Sequence, residues 1–373
     1  MSRDLIVYIF GSGRKARLLS KNLESHEFFY GYFYFLQKYK NVDIVEMKKE
    51  EKLSSISLNF LVFIDKVLRK ISKLPFYLSL ITSMRNYKTI RNSSIIISTN
   101  DRLALSVMPM VLIAKIFKRI KLSIIVMGLF NKNNKRNVFR KFIMFVLFRI
   151  TENFIFLGKG EYDNAVHQYP TFDHKFHFLP FCIDSEFWKN KSLNTDIVNK
   201  SILFLGNDGN RDFNFVLELA LKLENIHFKF VTSHKFQIDS LPRNVELIEA
   251  NWNDNILSDK DIREFYENAY LTVIPLKNSL QPSGQSVALQ SMSMSTPVLI
   301  TDTLGFWDKE RFTNNESIIF LESNNLNEWV KKIEDLLVDT KLVNKVRLNS
   351  RKVIEDHYDI ELFNKNLEKI VLS

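Results

Sequence analysis

The sequence predicts an α/β protein made of two doubly wound parallel sheets that face each other across a cleft. Three observations carry this reading. Short apolar, β-branched runs alternate with longer amphipathic segments and few hairpin signals stand between them, the pattern of a parallel sheet covered on both faces. The same pattern restarts near residue 200, and 373 residues exceed what one ordinary core accommodates. Charge divides the chain at the same place: residues 1–180 carry 30 Lys+Arg against 13 Asp+Glu, and residues 181–373 carry 22 against 29.

In the first unit, Leu5–Phe10 reads as a strand ending in Gly11-Ser12-Gly13, with a helical pattern from Arg14. Phe28–Tyr39 continues as an aromatic-rich helix, Val42–Glu46 is a strand, and residues 53–92 are largely helical, with Leu, Ile and Phe at spacings of three and four. Ser94–Ser98, Leu122–Met127, Asn153–Leu157 and Phe176–Leu179 are further strands, with helices at Leu103–Ile120 and Phe139–Ile150. In the second unit the strands are Ser201–Leu205, His227–Thr232, Val245–Glu249, Leu271–Pro275, Val298–Thr301 and Ile318–Leu321. Helices fall at Phe213–Leu223, Asp261–Ala269, Gln285–Met294, Leu326–Leu337, Lys341–His357 and Ile360–Leu372. The linker lies near Phe181–Asn199. The expected division is 1–185, 186–355, and a terminal helix over 356–373 that packs back on the first domain.

Composition excludes several classes. A single cysteine, Cys182, excludes a disulfide framework and a multi-cysteine metal site, and 13% aromatic residues argue against disorder. No signal peptide precedes the first strand. The longest apolar stretches, Val107–Ile116 and Phe142–Ile150, fall short of the roughly 18–20 residues that span a bilayer. The expectation is a soluble or peripheral cytoplasmic protein. Between Arg102 and Thr151 stand eleven basic residues and no acidic one, so this half faces something anionic: nucleic acid, a phosphorylated metabolite or a bilayer. Interleaved Phe and Ile, with no nucleic-acid motif, favour the bilayer. Lys132, Lys135 and Arg136, beside Phe139, Phe142, Phe145 and Phe148, are the centre of that reading; the alternative is that most of this phenylalanine stripe packs on the sheet.

The most informative segment runs from Pro275 to Asp302, Pro-Leu-Lys-Asn-Ser-Leu-Gln-Pro-Ser-Gly-Gln-Ser-Val-Ala-Leu-Gln-Ser-Met-Ser-Met-Ser-Thr-Pro-Val-Leu-Ile-Thr-Asp. A strand ends at Pro275, and a small-residue loop leads into a helix near Ser283 or Gly284. A Ser-Gly-Gln-Ser turn at a helix start offers free backbone N–H groups at the positive end of the dipole, which suits a diphosphate. An ordinary capped helix has the same local sequence.

This segment resembles the nucleotide-sugar motif of glycosyltransferases with two Rossmann-like domains, the B-type (GT-B) fold, and especially the family 4-like (glycosyl transferases group 1) enzymes. Phe178–Trp188, Ser201–Asp212 and Leu257–Tyr266 resemble that family's linker, glycine-loop opening and pre-strand helix, in the same order. The resemblance implies a nucleotide-diphosphate sugar as donor, a glycan or lipid-linked acceptor, and no metal or other cofactor. It places donor contacts at Gly206, Asn207, Asp208, Arg211, Ser283, Gly284, Gln285, Ser286 and Gln290. Two departures stand out. The family commonly has two glutamates eight positions apart, where this chain has Pro282 and Gln290, and a histidine where Met127-Gly128 stands. Gln290 keeps an amide able to bind a ribose hydroxyl, and Gly284 with Gln285 are expected to stand in near the transferred sugar.

Arg211 is the candidate catalytic group, since a fixed guanidinium stabilises the charge gathering on a leaving diphosphate; a surface arginine paired with Asp208 or Asp212 is the alternative. Gly11, Ser12, Gly13 and Arg14 line the cleft from the acceptor side or form a plain turn. Asp259-Lys260-Asp261 reads as helix capping after Ser258, the scattered histidines lack ligand spacing, and Trp252 flanks the donor base or packs in a turn. Sugar transfer leads. The alternatives are a non-catalytic nucleotide-sugar or nucleic-acid binding protein and a sugar-nucleotide epimerase, which would need cleft carboxylate and histidine groups.

Overall fold

The computed structural model describes residues 5–20, 23–49, 56–131, 137–190, 200–237, 241–250 and 257–373. The first sheet contains β1 (Ile6–Phe10), β2 (Val42–Glu46), β3 (Ile95–Ser98), β4 (Lys121–Val126), β5 (Asn153–Phe156) and β6 (Phe176–Phe178). Around it lie α1 (Arg14–Leu19), α2 (Tyr32–Tyr39), α3 (Ile56–Ser72), α4 (Leu78–Ile81), α5 (Met84–Asn92), α6 (Asp101–Phe117), α7 (Val138–Ile150) and α8 (Lys159–Gln168). The second sheet contains β7 (Ile202–Leu205), β8 (Phe228–Thr232), β9 (Val245–Glu249), β10 (Leu271–Ile274), β11 (Val298–Thr301) and β12 (Ile319–Leu321). Its helices are α9 (Phe213–Lys222), α10 (Asp259–Glu267), α11 (Gln285–Ser293), α12 (Leu326–Val338) and α13 (Thr340–His357), followed by α14 (Ile360–Leu372).

Both sheets are six-stranded, ordered β2-β1-β3-β4-β5-β6 and β12-β11-β10-β7-β8-β9, and every strand pair is parallel. The period-two alternation of a strand explains the double burial. Ile6, Tyr8 and Phe10 of β1 point into one apolar cluster while Val7 and Ile9 point into another. Leu203 and Leu205 of β7 enter the same cluster as Tyr8 and Phe10, so a continuous apolar core joins the domains through Phe181 and Trp188.

Strand order reverses between β1 and β3 in one sheet and between β7 and β10 in the other. Ligands of open α/β sheets bind at the carboxyl ends of the strands at such points. The loop after β7 and the loop that leads from β10 into α11 are therefore neighbours, facing the turn after β1.

One helical expectation is corrected. Phe28–Tyr39 is not one helix: a 3-10 turn at Glu27–Phe29 is followed by Tyr30 and Gly31 with φ of 48° and 81°, and only then by α2. A Cβ on Gly31 would lie 3.1 Å from Asn364 Oδ1 and from Leu367 Cδ2 of α14, so tertiary packing imposes the break. Residues 56–92 are largely helical, as expected, in three helices; the first break follows Lys73 (φ 57°), where buried Asp65 accepts hydrogen bonds from Leu78 N at 2.7 Å and Ser79 N at 3.0 Å and so starts α4. The polar helix α8, which buries only Glu161 and Ala165, had no apolar period to announce it.

After α13 the chain crosses to the first domain. Asp359 caps α14 and accepts from Ser185 Oγ at 2.6 Å. Glu368 of α14 accepts from Tyr34, Tyr39 and Lys38, and Lys121 Nζ donates to Leu372 O at 2.9 Å.

Candidate functional site

Arg211 organises the cleft. Its loop is held to the end of β10 by backbone hydrogen bonds from Asp212 N to Pro275 O at 3.0 Å and from Lys277 N to Asn210 O at 2.8 Å. The side chain is 2% exposed and lies between two glycines. A Cβ on Gly206 would meet Arg211 Nε at 2.5 Å, and one on Gly284 would meet Nη1 at 2.6 Å. Only residues without a side chain admit the guanidinium here. Nε lies 3.1 Å from Asp208 Oδ2, an ion pair without hydrogen-bond alignment, and Nη1 has no hydrogen-bond partner among the described residues. Burial pushes the guanidinium pKa down and Asp208 opposes the shift. A buried cation with an unused donor is a strong attraction for an anion.

Gly284, with φ of 75°, precedes α11, a helix without a side-chain cap. Its first N–H groups are therefore open, at the positive end of the helix dipole. Ser286 and Val287 of that first turn line a cavity of about 400 Å³, together with Gly206, Asn207, Asp208, Arg211 and Gln290. The opposite wall is Ser12, Gly13, Arg14 and Arg17. Arg14 packs its guanidinium 5.6 Å from the centre of the Phe29 ring. The cavity thus presents arginines from both domains.

Several predicted residues have structural employment. Asn207 Nδ2 donates to Ala250 O at 2.7 Å while Oδ1 accepts from Thr232 Oγ1 and Ser233 N, which ties three strand ends together. Asn210 Nδ2 donates to Ser283 Oγ at 2.7 Å. Gln285 Nε2 donates to Leu157 O of the first domain at 3.1 Å, so that amide is directed away from the cavity. Gly11, Ser283, Gly284 and Gln285 do not line the cavity. Gln290 does, but it also donates to Glu27 Oε1 at 3.1 Å and accepts from Tyr266 Oη at 3.2 Å.

The contacts of Glu27, Trp188, Arg17 and Asp259 escaped the sequence reading, which placed Trp188 only in the linker and Asp259 only in a helix cap. Glu27 Oε1 also accepts from Trp188 Nε1 at 2.7 Å, and burial pushes the carboxyl up to about 7 against these hydrogen bonds. Ser258 and Asp261 form a capping box, as the capping reading has it. Asp259 does something else: it pairs with Arg17 Nη2 at 2.6 Å and accepts from Ser25 N at 3.1 Å across the cleft. No spacing in the sequence announces such contacts.

The two departures from the family pattern also have a structure. Gly158 lies under Pro282, where a Cβ would sit 2.9 Å from Pro282 Cγ, and a Cβ on Gly128 would lie 3.4 Å from Gln281 Oε1. The loop after β4 is held by two buried carboxylates: Met127 N donates to Asp101 at 2.8 Å, and Gly128 N and Phe130 N donate to Glu161 at 3.0 and 2.9 Å. Burial pushes Glu161 up to about 7. Among the described residues, no group of three or more His, Cys, Asp or Glu side chains could hold a metal ion. Trp252 lies outside the described residues.

The paired parallel sheets and the cleft between their strand ends define a protein of the B-type glycosyltransferase fold. The family model for glycosyl transferases group 1 matches residues 251–353. Solved structures agree on the fold. HepE of Anabaena, in complex with UDP and glucose, superposes with a TM-score of 0.66 at 11% identity, covering 99% of both chains. Sucrose-phosphate synthase of Thermosynechococcus elongatus gives 0.68 at 12% identity, covering 99% of this chain and 98% of its own. A glycosyltransferase of Rickettsia africae gives 0.65 at 15%, with coverage of 99% and 98%. A comparison with curated protein sequences finds no match.

Proposed function

We propose that the protein transfers a sugar from a nucleotide-diphosphate sugar to a glycan or lipid-linked acceptor, without a metal ion, in the cytoplasm at the inner face of the cell membrane. The observation that carries the reading is Arg211, buried between Gly206 and Gly284 with Nη1 unpartnered beside the open N-terminus of α11. In the transfer, the bond from the sugar's anomeric carbon to the diphosphate oxygen breaks, a bond to the oxygen of an acceptor hydroxyl forms, and the hydroxyl proton passes to the departing diphosphate. The departing diphosphate gathers negative charge, and Arg211 with the α11 N–H groups is arranged to stabilise it. Arg14 adds positive charge from the first domain, whereas Arg17 is neutralised by Asp259, so approach of the first domain strengthens the field around the leaving group through Arg14. Gln290 is the candidate ribose contact, because it lines the same cavity. The solved complex of HepE with UDP and glucose makes uridine diphosphate the first nucleotide to try.

Incubation with UDP- and GDP-sugars labelled in the sugar tests this. The expected result is slow release of labelled sugar without acceptor, lost on Arg211→Ala in a protein that still folds. Nucleotide binding without any release or transfer would instead support the non-catalytic alternative.

A further inference from the structure

We infer that the outer face of α3 and α7, with the end of α6 beside them, docks on an anionic lipid bilayer by inserting phenylalanine side chains among the headgroups. The surface lies apart from the donor cavity and the inference does not depend on it. Among the described residues, the largely exposed phenylalanines are Phe60 (65%), Phe63 (62%), Phe117 (64%), Phe139 (58%), Phe142 (66%) and Phe145 (49%), and all six lie on these three helices. A folded protein leaves single apolar residues scattered on its surface; a set of six aromatics on adjacent helices is a different observation.

The helices are correctly packed on their inner sides, so the exposed rings are not a misplaced core. On α7, Ile143, Met144, Leu147 and Phe148 are buried against the sheet while Phe139, Phe142 and Phe145 face out. Of the four phenylalanines in this stripe, Phe148 alone packs inward, so most of the stripe does not pack on the sheet. On α3, Phe60, Phe63, Val67 and Ile71 are exposed at spacings of three and four, one continuous stripe. Asn137 Nδ2, at the start of α7, donates to Ile71 O at the end of α3 at 2.6 Å, which sets the two stripes side by side.

Charge identifies the partner. Lys66 and Lys70 on α3, Lys141 and Arg149 on α7, and Lys118 and Arg119 after α6 are exposed. The single acid of α3, Asp65, is buried as the cap of α4, and α7 has none. Arg149 lies 5.0 Å from the centre of the Phe145 ring, a pairing that lets the cation stay at headgroup level while the ring enters. A second copy of this chain would bring like charges together on this face. An anionic leaflet attracts them, and each apolar ring adds burial. Lys132, Lys135 and Arg136, just before α7 in sequence, lie outside the described residues.

The test is co-sedimentation of the full chain with vesicles of phosphatidylcholine alone or mixed with phosphatidylglycerol, with melting temperature and UDP affinity measured in parallel. The expected result is binding to the mixed vesicles only, reduced by high salt. Joint replacement Phe60→Ser, Phe63→Ser, Phe139→Ser and Phe142→Ser should abolish it with melting temperature and UDP affinity kept. Reversal by Lys66→Glu, Lys70→Glu and Lys141→Glu should weaken it by about a hundredfold or more. Equal binding to both vesicle types, no binding at low salt, or concentration-dependent dimerisation lost in the serine variant would overturn the inference. Vesicle binding by a protein without nucleotide affinity would uphold it while removing the donor reading.

Discussion

Arg17 Nη2 and Asp259 Oδ1 meet at 2.6 Å across the cleft, joining α1 of one domain to the first turn of α10 in the other. The Asp259 side chain is 7% exposed, and its second oxygen accepts from the backbone N–H of Ser25 at 3.1 Å. A surface bridge contributes little, but an enclosed carboxylate with a charged and a backbone donor is worth more. Asp259→Ala should therefore lower stability by about 1–3 kcal/mol and loosen the contact between the domains. Chemical unfolding measures the first effect, and small-angle scattering the second. Unchanged values in both would reduce the pair to a surface contact.

Arg211→Ala removes the buried cation next to the α11 N-terminus. UDP affinity should fall by roughly 1.5–3 kcal/mol, the range of a hydrogen bond to a charged group. Calorimetry on a variant with native circular dichroism measures it. Unchanged affinity for both UDP and GDP would take Arg211 out of the site.

Gly284→Ala attacks the same arginine from its neighbour. The φ of 75° strains any side chain, and the new Cβ would lie 2.6 Å from Arg211 Nη1 and 2.8 Å from Ile274 Cγ2. The strain alone costs about 1–2 kcal/mol, which lowers the melting temperature, and displacement of the guanidinium should weaken UDP binding as well. Gly209→Ala is the control, because a Cβ there meets nothing within 4 Å. A Gly284→Ala protein with native affinity and melting temperature would refute the close packing.

These variants mark what could be read in the sequence. The sheets were legible because strands buried on both faces are continuous apolar runs, as in Ile6–Phe10 and Val298–Thr301. The small-residue loop before Gln285 drew attention by its local chemistry and the glycine loop at Gly206 by its resemblance to the family, and Ser286 and Gly206 do line one cavity. What stayed hidden depends on partners distant in the chain. Arg17 and Asp259 are 242 positions apart, and Glu27 and Gln290 are 263 apart. The same reason explains Asn207 and Gln285, whose residue types suit a donor site while their amides serve Ala250 O and Leu157 O. The break at Gly31 belongs here too, imposed by α14 from the far end of the chain.

Gln290→Leu separates two roles of one amide. Sequence alone suggests loss of ribose contact in an intact fold. The structure adds a stability cost, because Tyr266 Oη and Glu27 Oε1 both lose a buried partner. The expected outcome is a loss of about 1–3 kcal/mol in unfolding free energy. UDP affinity should fall more than pyrophosphate affinity. Equal losses for the two ligands would remove Gln290 from the ribose contact.

Glu27 makes stability depend on pH in a defined direction. Its carboxyl is raised from 4.5 to about 7, chiefly by burial, although Trp188 and Gln290 donate to Oε1. Oε2 has no hydrogen-bond partner among the described residues, so a proton there costs no contact made by them. The folded protein thus holds this proton more tightly than the unfolded chain does. The resulting stability is fully present below pH 4.5 and is lost as pH rises through about 7. The shift corresponds to about 3 kcal/mol as an order of magnitude. Glu161, raised to about 7 by its own burial, contributes in the same window and the same direction. Glu27→Gln keeps an acceptor oxygen for Trp188 and Gln290 and removes the titration. Urea unfolding at pH 5 and pH 8 should show a clear loss of stability in the wild type and a smaller one in Glu27→Gln, with the remainder assigned to Glu161. Parallel pH curves for the two proteins would mean that Glu27 is ionised throughout and that the contact between the domains carries a full negative charge.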